Sequence, residues 1–315
     1  MDICNKLKVL LKNAIDCDTI LLGGLDSSIL ASISNDIIKN AITVAYYNAY
    51  DLPYAKSIAN KYKLNHIIRH IDDNTALLYA REIIKIMHVF DPIEVRNDIV
   101  LYASMQEAKK HRIDHVITGD GSDELFAGYN YMLKFDYARL NEELERLYKI
   151  MHFSSLKIGE ELDVKVSVPY LTDEIIKLAR SMPIDLKVRE YNGIRYGKWI
   201  LRTCFKDMLG EEIVFRRKMA MEEGSGLSRL SLLFDDIINE QEFLRGIKMA
   251  ENDGVKIKSK EHLYYYNIFR EEFGVPKVLF RRCSFRCPDC LACIDMKAKF
   301  CRVCGAFPVT PMRTF

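Results

Sequence analysis

Apolar residues Ile3, Leu7, Leu10, Leu11 and Ala14 recur at helical spacing, which predicts an amphipathic helix over residues 2–15. The pattern then shortens. Thr19-Ile20-Leu21-Leu22 is a brief apolar run that ends at two glycines, and residues 41–46, 66–71 and 115–117 are further runs of strand length. Between them the spacing predicts helices over 51–63, 75–89 and 99–111, with Asp91-Pro92 as a break between the last two. Strands alternating with helices predict an α/β fold: a parallel sheet with crossover helices. His66 and His70 share one face of a strand and read as core-edge or solvated residues rather than metal ligands. Residues 230–280 predict a helical tail punctuated at Gly246 and Asn252-Asp253-Gly254. Its aromatic stretch over 263–269 is expected to pack on the core, and 273–278 reads as a junction.

Two of the predicted strands run into glycine-rich turns. The first reads Gly23-Gly24-Leu25-Asp26-Ser27-Ser28 and opens a helix. Glycines let backbone N–H groups approach an anion without a Cβ in the way, and the helix N-terminus favours phosphate there. Ser27 and Ser28 can donate hydrogen bonds, and Asp26 can hold Mg²⁺ against phosphate oxygens. An ordinary βα turn with Ser27 as a cap explains this stretch equally well. The second reads Thr118-Gly119-Asp120-Gly121-Ser122-Asp123-Glu124-Leu125-Phe126-Ala127-Gly128-Tyr129, with three acids in five residues. Such a cluster repels itself unless a cation neutralises it, and the carboxyl end of a parallel strand is where open α/β sheets bind ligands.

The 315 residues are 49% hydrophobic, enough for a large domain with a small appendage, and the formal charge of +2 argues for no acidic or nucleic-acid partner. Without a signal-peptide pattern or a run of about 18 apolar residues, the expectation is a soluble, cytoplasmic protein with no membrane partner. Six of nine cysteines, Cys283, Cys287, Cys290, Cys293, Cys301 and Cys304, fall within 22 residues. In a chain read as cytoplasmic this clustering predicts metal rather than disulfides, and the scattered Cys4, Cys17 and Cys204 are read as buried or inert. Cys287-Pro288-Asp289-Cys290 and Cys301-Arg302-Val303-Cys304 form two knuckles suited to tetrahedral Zn²⁺, in a module that resembles a zinc ribbon and would draw its folding free energy from metal. Cys287, Cys290 and Cys293 also read C-x-x-C-x-x-C, so an iron–sulfur cluster is the alternative. Cys283 and Cys293 are left as extra thiols. Residues 255–315 hold twelve Lys or Arg against five Asp or Glu, and Arg281, Arg282 and Arg286 precede the knuckles. Solvated side chains explain that surplus, as would an RNA-binding ribbon.

The two glycine turns together resemble the synthetase domain of the asparagine synthetase B type and of β-lactam synthetases, within the PP-loop ATP pyrophosphatases (HUP-like, adenine nucleotide alpha hydrolase fold). Further blocks agree in order: Val168-Pro169-Tyr170-Leu171 is similar to the family's VPFLD segment, and Lys198-Trp199-Ile200-Leu201-Arg202 to its K-x-I-L-R helix. Val214-Phe215-Arg216-Arg217-Lys218 is similar to its WRxK segment, followed by Gly224-Ser225-Gly226. The resemblance implies a PP-loop domain over residues 1–235, a helical extension over 236–280, and the cysteine module over 281–315.

It also implies chemistry. A substrate carboxylate attacks the α-phosphorus of ATP, pyrophosphate leaves, and an amine captures the adenylate. Gly23, Gly24, Ser27 and Ser28 would cradle pyrophosphate, and Asp26 and Asp123 would hold Mg²⁺. Thr118, Gly119 and Ala45 would contact the nucleotide through main-chain groups. Lys218 would stabilise charge at the α-phosphate, and Asp120 stands where the family has a glutamate that helps the amine attack. Leu22 stands where the loop normally opens with serine, Ser167 where an arginine precedes VPFLD, and Thr172 where its aspartate falls. These departures put aspartate as substrate in question more than ATP. Asparagine synthetases of this type carry an N-terminal glutaminase domain, and none is expected here, so ammonia, another amine or a separate donor subunit would serve. The acceptor would be a small carboxylate or amide. Two other readings stand beside this one: a PP-loop enzyme that thiolates tRNA held by the ribbon, and a non-enzymatic scaffold.

Overall fold

The structure, a computed structural model, describes residues 2–281 and 283–313, so the Arg282 named above lies outside the described residues. Five strands, β1 (Thr19–Leu21), β2 (Asn40–Ala45), β3 (Asn65–His70), β4 (His115–Ile117) and β5 (Lys165–Ser167), form one sheet in the order β3-β2-β1-β4-β5. Every pairing is parallel. The chain builds outward from β1 through β2 to β3, then crosses to the other side of β1 with β4 and β5. Strand order therefore reverses between β1 and β4, and the carboxyl ends of these two strands flank the crevice that such a reversal leaves.

Buried apolar side chains cover both faces. One layer comprises α1 (Ile3–Asn13), α2 (Leu25–Ile33) and α3 (Leu52–Lys61), joined by later helices through Leu7, Leu11, Ile29, Ile58, Leu201 and Phe205. The other comprises α4 (Asp73–Met87), α5 (Pro92–Lys110) and the helix Lys260–Phe273. The aromatic stretch packs as expected: Tyr265, Tyr266 and Phe269 are fully buried, and the Phe90 ring meets those of Tyr266 and Phe269 at 5.1 Å. His66 and His70 lie on β3, His66 within 2.8 Å of the Thr43 hydroxyl, and among the described residues neither joins a metal-like cluster.

Three departures from the sequence pattern have physical reasons. The break at Asp91-Pro92 is also a start. Helix α4 ends at His88, which adopts a left-handed conformation, and α5 begins at Pro92, seven residues before the predicted start at 99. Proline at the first helical position loses no hydrogen bond, and Asp91 Oδ1 accepts one from the Ile93 N–H at 3.1 Å. Strand β5 was not predicted: Lys165-Val166-Ser167 holds a single apolar side chain, whereas the equally short β4 ends in Val116-Ile117. Finally, Cys4 and Cys204 form a disulfide across 200 residues, and Cys283 and Cys293 form another. The Cys283–Cys293 bond overturns the expectation of metal rather than disulfides for two of the clustered cysteines, and Cys4 and Cys204, read as buried or inert, are bonded to each other; Cys287, Cys290, Cys301 and Cys304 form no disulfide. The Cys4–Cys204 pairing, 200 residues apart in the chain, leaves no local sequence signal, whereas Cys283 and Cys293 are separated by only 10.

The cysteine module does not hang free. Its four remaining thiols belong to the same apolar cluster as α4 and α5, the Phe90 N–H donates to the Val303 carbonyl at 2.7 Å, and Gly305 lies so close to Asp91 that a Cβ there would meet Oδ1 at 2.3 Å. Among the described residues no helix is long and apolar enough to cross a membrane.

Candidate functional site

Both glycine turns follow from strand ends. The Leu22 N–H donates to the Ile42 carbonyl at 2.8 Å, extending the ladder by one residue before Gly23-Gly24 releases the chain into α2. On the other side of the reversal, the Thr118 N–H donates to the Ser167 carbonyl at 3.0 Å, and Gly121, with φ of +88°, turns the chain into the short helix Ser122–Leu125. The turns touch: a Cβ on Gly119 would lie 2.8 Å from the Asp26 Cβ and 3.3 Å from the Ser27 nitrogen.

Between them lies a cavity of about 370 Å³, in the range of small-molecule sites. Its lining includes Leu22, Gly23, Gly24, Asp26, Ser27, Thr118, Gly119, Asp120, Asp123 and Lys218. Two residues expected at the nucleotide fall outside it. Ala45 is buried, its carbonyl accepting from the Ile71 N–H at 3.0 Å, while Thr43 and Val44 line the wall instead. Ser28 is turned into the fold, its hydroxyl donating to the Gly24 carbonyl at 2.7 Å. Ser27 accepts from the Gly23 N–H at 3.1 Å, holding the turn shut on itself.

The centre of the cavity is a buried ion cluster. Lys198 Nζ lies 2.6 Å from Asp26 Oδ2 and 2.7 Å from Asp123 Oδ1, and Lys218 Nζ lies 3.5 Å from Asp123 Oδ2. Lys198 adopts a left-handed conformation at φ +55° ahead of the helix Trp199–Cys204, tied there by its N–H donating to the Phe126 carbonyl at 2.9 Å. Burial works against its charge, but the Asp123 and Asp26 carboxylates outweigh that and raise its pKa. Burial likewise opposes the Asp123 charge, yet Lys198 and then Lys218 bring its pKa down to about 2. Asp123 Oδ1, close to Lys198, accepts no well-directed hydrogen bond. A buried carboxylate oxygen with lone pairs to spare, beside a second carboxylate, suits a hard cation. Asp26 is further fixed by Ser122, whose hydroxyl donates to Oδ1 at 2.8 Å, and by Tyr170, whose hydroxyl donates to its carbonyl at 3.2 Å.

Nothing in the segment Lys198-Trp199-Ile200-Leu201-Arg202 announces a role for Lys198; only the fold reveals that this lysine bridges both turns. Arg216 was missed likewise. Its guanidinium donates to Asp51 Oδ1 at 2.8 Å and to the Gly23 carbonyl at 2.9 Å, bracing the first turn from within the cavity lining. Asp120 accepts from Thr118 at 2.8 Å and from Ser155, and its burial raises its pKa. Burial, then the neighbouring Asp123 charge, pushes Glu124 up to about 7, although Tyr129 donates to it at 2.5 Å. Of the departures, Leu22 is a buried wall residue, Ser167 pairs with His115 at 2.8 Å outside the cavity lining, and Thr172 precedes the helix Asp173–Ser181.

A second centre lies in the tail. Cys287, Cys290, Cys301 and Cys304 are buried, with their sulfurs within 4.8 Å of one another. Cys287 Sγ and Cys304 Sγ stand 3.8 Å apart, and Cys290 Sγ and Cys301 Sγ 3.7 Å. Four thiolates at about 2.3 Å around one tetrahedral ion would be separated by about 3.8 Å. Each knuckle closes with a left-handed residue after its second cysteine, Leu291 at φ +62° and Gly305 at φ +69°. Cys293, required by the C-x-x-C-x-x-C alternative, is joined to Cys283 and stands apart from this set.

The sequence model of the asparagine synthase family matches residues 15–157 and 157–276. Asparagine synthetase B [glutamine-hydrolyzing] of Escherichia coli is 26% identical over 282 residues, covering 82% of this chain and 50% of that protein. Asparagine synthetase [glutamine-hydrolyzing] 3 of Arabidopsis thaliana is 25% identical over 277 residues, covering 81% and 48%. The solved structure of NMN synthetase from Francisella tularensis has a TM-score of 0.29 at 14% identity over 73% of this chain and 90% of that one. The chain spans about half the length of the curated relatives it matches.

Proposed function

The chain belongs to the asparagine synthase family, and from that premise we propose that it is an ATP-dependent amidoligase that releases pyrophosphate and AMP. A carboxylate oxygen of the acceptor attacks the α-phosphorus, and the bond to the β-phosphate oxygen breaks. An amine nitrogen then attacks the activated acyl carbon, loses a proton, and AMP leaves. The observation that carries this reading is the convergence of Asp26 and Asp123 on Lys198 between two touching glycine turns.

In this reading the N–H groups of the first turn and Ser27 face the pyrophosphate, and Lys198 and Lys218 offset the charge that gathers on it as it leaves. Magnesium, held by Asp26 and Asp123, would supply further charge neutralisation. Lys198 would keep the two carboxylates from repelling each other until the cation arrives. Asp120, its charge disfavoured by burial, would accept the proton of the attacking amine. Zn²⁺ in the tail would be structural, since four cysteines close the shell. We assign residues 1–235 to the PP-loop domain, 236–280 to a helical extension and 281–315 to the cysteine module.

The test is pyrophosphate release from ATP by the full chain, with small carboxylic acids plus ammonia in one arm and bulk tRNA in another. Release that depends on acid and ammonia is the expected outcome. Release that requires tRNA would replace the amidoligase reading by RNA modification, and no ATP-dependent release in any arm would remove it.

A further inference from the structure

A group of ligating side chains lies at the end of the sheet away from the glycine turns. Those turns leave the carboxyl ends of β1 and β4. The amino ends of the same two strands, with β5 beside them, bring together Asp16, Cys17, His115, Lys165 and Ser167. Register explains the meeting: Ile20 pairs with Ile117 and His115 with Lys165, so the residues that lead into β1 fall beside the first residue of β4. None of the five lines the cavity described above.

Three of these side chains converge. A carboxylate oxygen of Asp16, the Cys17 sulfur and a ring nitrogen of His115 lie within 4.8 Å of one another. Among the described residues, the other group of His, Cys, Asp or Glu so close together is the four knuckle cysteines. His115 Nε2 stands 3.5 Å from Asp16 Oδ1. An imidazole nitrogen and a carboxylate oxygen, each about 2.0–2.2 Å from one tetrahedral ion, would be separated by about 3.4 Å. Cys17 Sγ lies 3.6 Å from the carbonyl oxygens of Thr19 and His115, which sets the sulfur alongside the histidine backbone.

The neighbours orient this set. Lys165 Nζ donates to the other carboxylate oxygen, Asp16 Oδ2, at 3.3 Å, and Oδ1 faces the imidazole. Ligating carboxylates are ordinarily held by such a further hydrogen bond. Ser167 Oγ lies 2.8 Å from His115 Nε2. Its hydroxyl is a rotor, free to yield that nitrogen and turn to another acceptor.

We propose that Asp16 Oδ1, Cys17 Sγ and His115 Nε2 form a second metal site, for a borderline divalent ion such as Zn²⁺ or Co²⁺. One thiolate and one imidazole among three donors select a transition metal over Mg²⁺. The Cys17 thiol passes its proton to solvent as the metal–sulfur bond forms. Three protein ligands leave a fourth position for water or a small exogenous ligand. Asp16 is half exposed and the Lys165 charge stands beside it, so this open site holds metal less tightly than the closed cysteine tetrad and gives it up on dialysis. The assignment is independent of the nucleotide reading.

Cobalt titration of the full chain tests it, once zinc loading and dialysis have left one Zn²⁺ per chain in the tail. The expected result is one further equivalent of bound Co²⁺, with the visible absorption of a four-coordinate ion and a thiolate-to-cobalt charge-transfer band, both removed by added Zn²⁺. Cys17→Ser should abolish the charge-transfer band. His115→Gln should weaken Co²⁺ binding about tenfold or more, at least as much as loss of an outer-shell partner does. Asp16→Asn, at a half-exposed position, supplies a third variant should either of these unfold, and the tail zinc should stay in place in all three. No further equivalent of Co²⁺, a charge-transfer band that survives Cys17→Ser, or an affinity unchanged in both His115→Gln and Asp16→Asn would each overturn the assignment.

Discussion

Gly119 and Asp26 press against each other: a single added carbon on the glycine would come within 2.8 Å of the aspartate Cβ. Gly119→Ala must therefore push the two turns apart. The expected result is a loss of nucleotide affinity of about tenfold or more, with about 1–3 kcal/mol of stability lost as for other overpacking substitutions. Gly24→Ala is the control, because a Cβ there meets nothing within 4 Å. Its stability should stay within about 0.5 kcal/mol of the parent. Nucleotide titration and denaturant unfolding of both variants check the pair.

Lys198→Met should be among the most damaging single changes. It keeps the bulk of the stem but leaves Asp26 and Asp123 facing each other without the shared cation. Breaking a buried ion pair from one side costs about 3–5 kcal/mol. The acid limb of stability should move too. With its pKa at about 2 against an ordinary 3.8, Asp123 contributes stability that is present above pH 3.8 and is lost as pH falls towards 2. In Lys198→Met that loss should set in at higher pH, measurable by unfolding across a pH series.

Glu124 predicts the opposite slope. Its pKa is pushed up from 4.5 to about 7, so the folded state holds a proton that the unfolded chain has released. Stability should fall between pH 4.5 and 7 and level off above. Asp91, raised by burial from 3.8 to about 7, adds to the same trend. Glu124→Gln should flatten the slope, leaving the share due to Asp91 and to the other carboxyls that burial raises, Asp51, Asp98, Asp120 and Glu261; an unchanged slope would mean that the Glu124 carboxyl titrates normally.

Metal analysis should find one Zn²⁺ per chain, and Cys290→Ser or strong chelation should release it. The module shares its apolar cluster with α4 and α5. Loss of metal is therefore expected to lower the melting temperature of the whole chain rather than to melt the tail alone. A separate low-temperature transition for residues 281–315 would contradict this.

Much of this architecture was legible beforehand. Strands ending in glycine pairs, helices with Leu7 and Leu11 on one face, and doubled C-x-x-C knuckles are local patterns, and local patterns survive in a linear string. The start of α5 was not legible. Reading Asp91-Pro92 only as a stop put the start of α5 seven residues late and left Glu94, Asn97 and Asp98 in a loop. Lys198 lies 172 residues from Asp26 and 75 from Asp123, and nothing in its own neighbourhood announces that it will stand between them. The partner of Cys4 was hidden for the same reason: contacts closed by the fold have no periodicity to read.

The hydrogen bond between Phe90 and Val303 ties the tail to the root of α5, two residues before that helix begins and four before Glu94. One rod thus has its base clamped by the knuckles and its next turns lining the cavity between the glycine turns. Trimming the tail to obtain a minimal fragment would unclamp that base, so a shortened version should be weakened throughout rather than merely shorter.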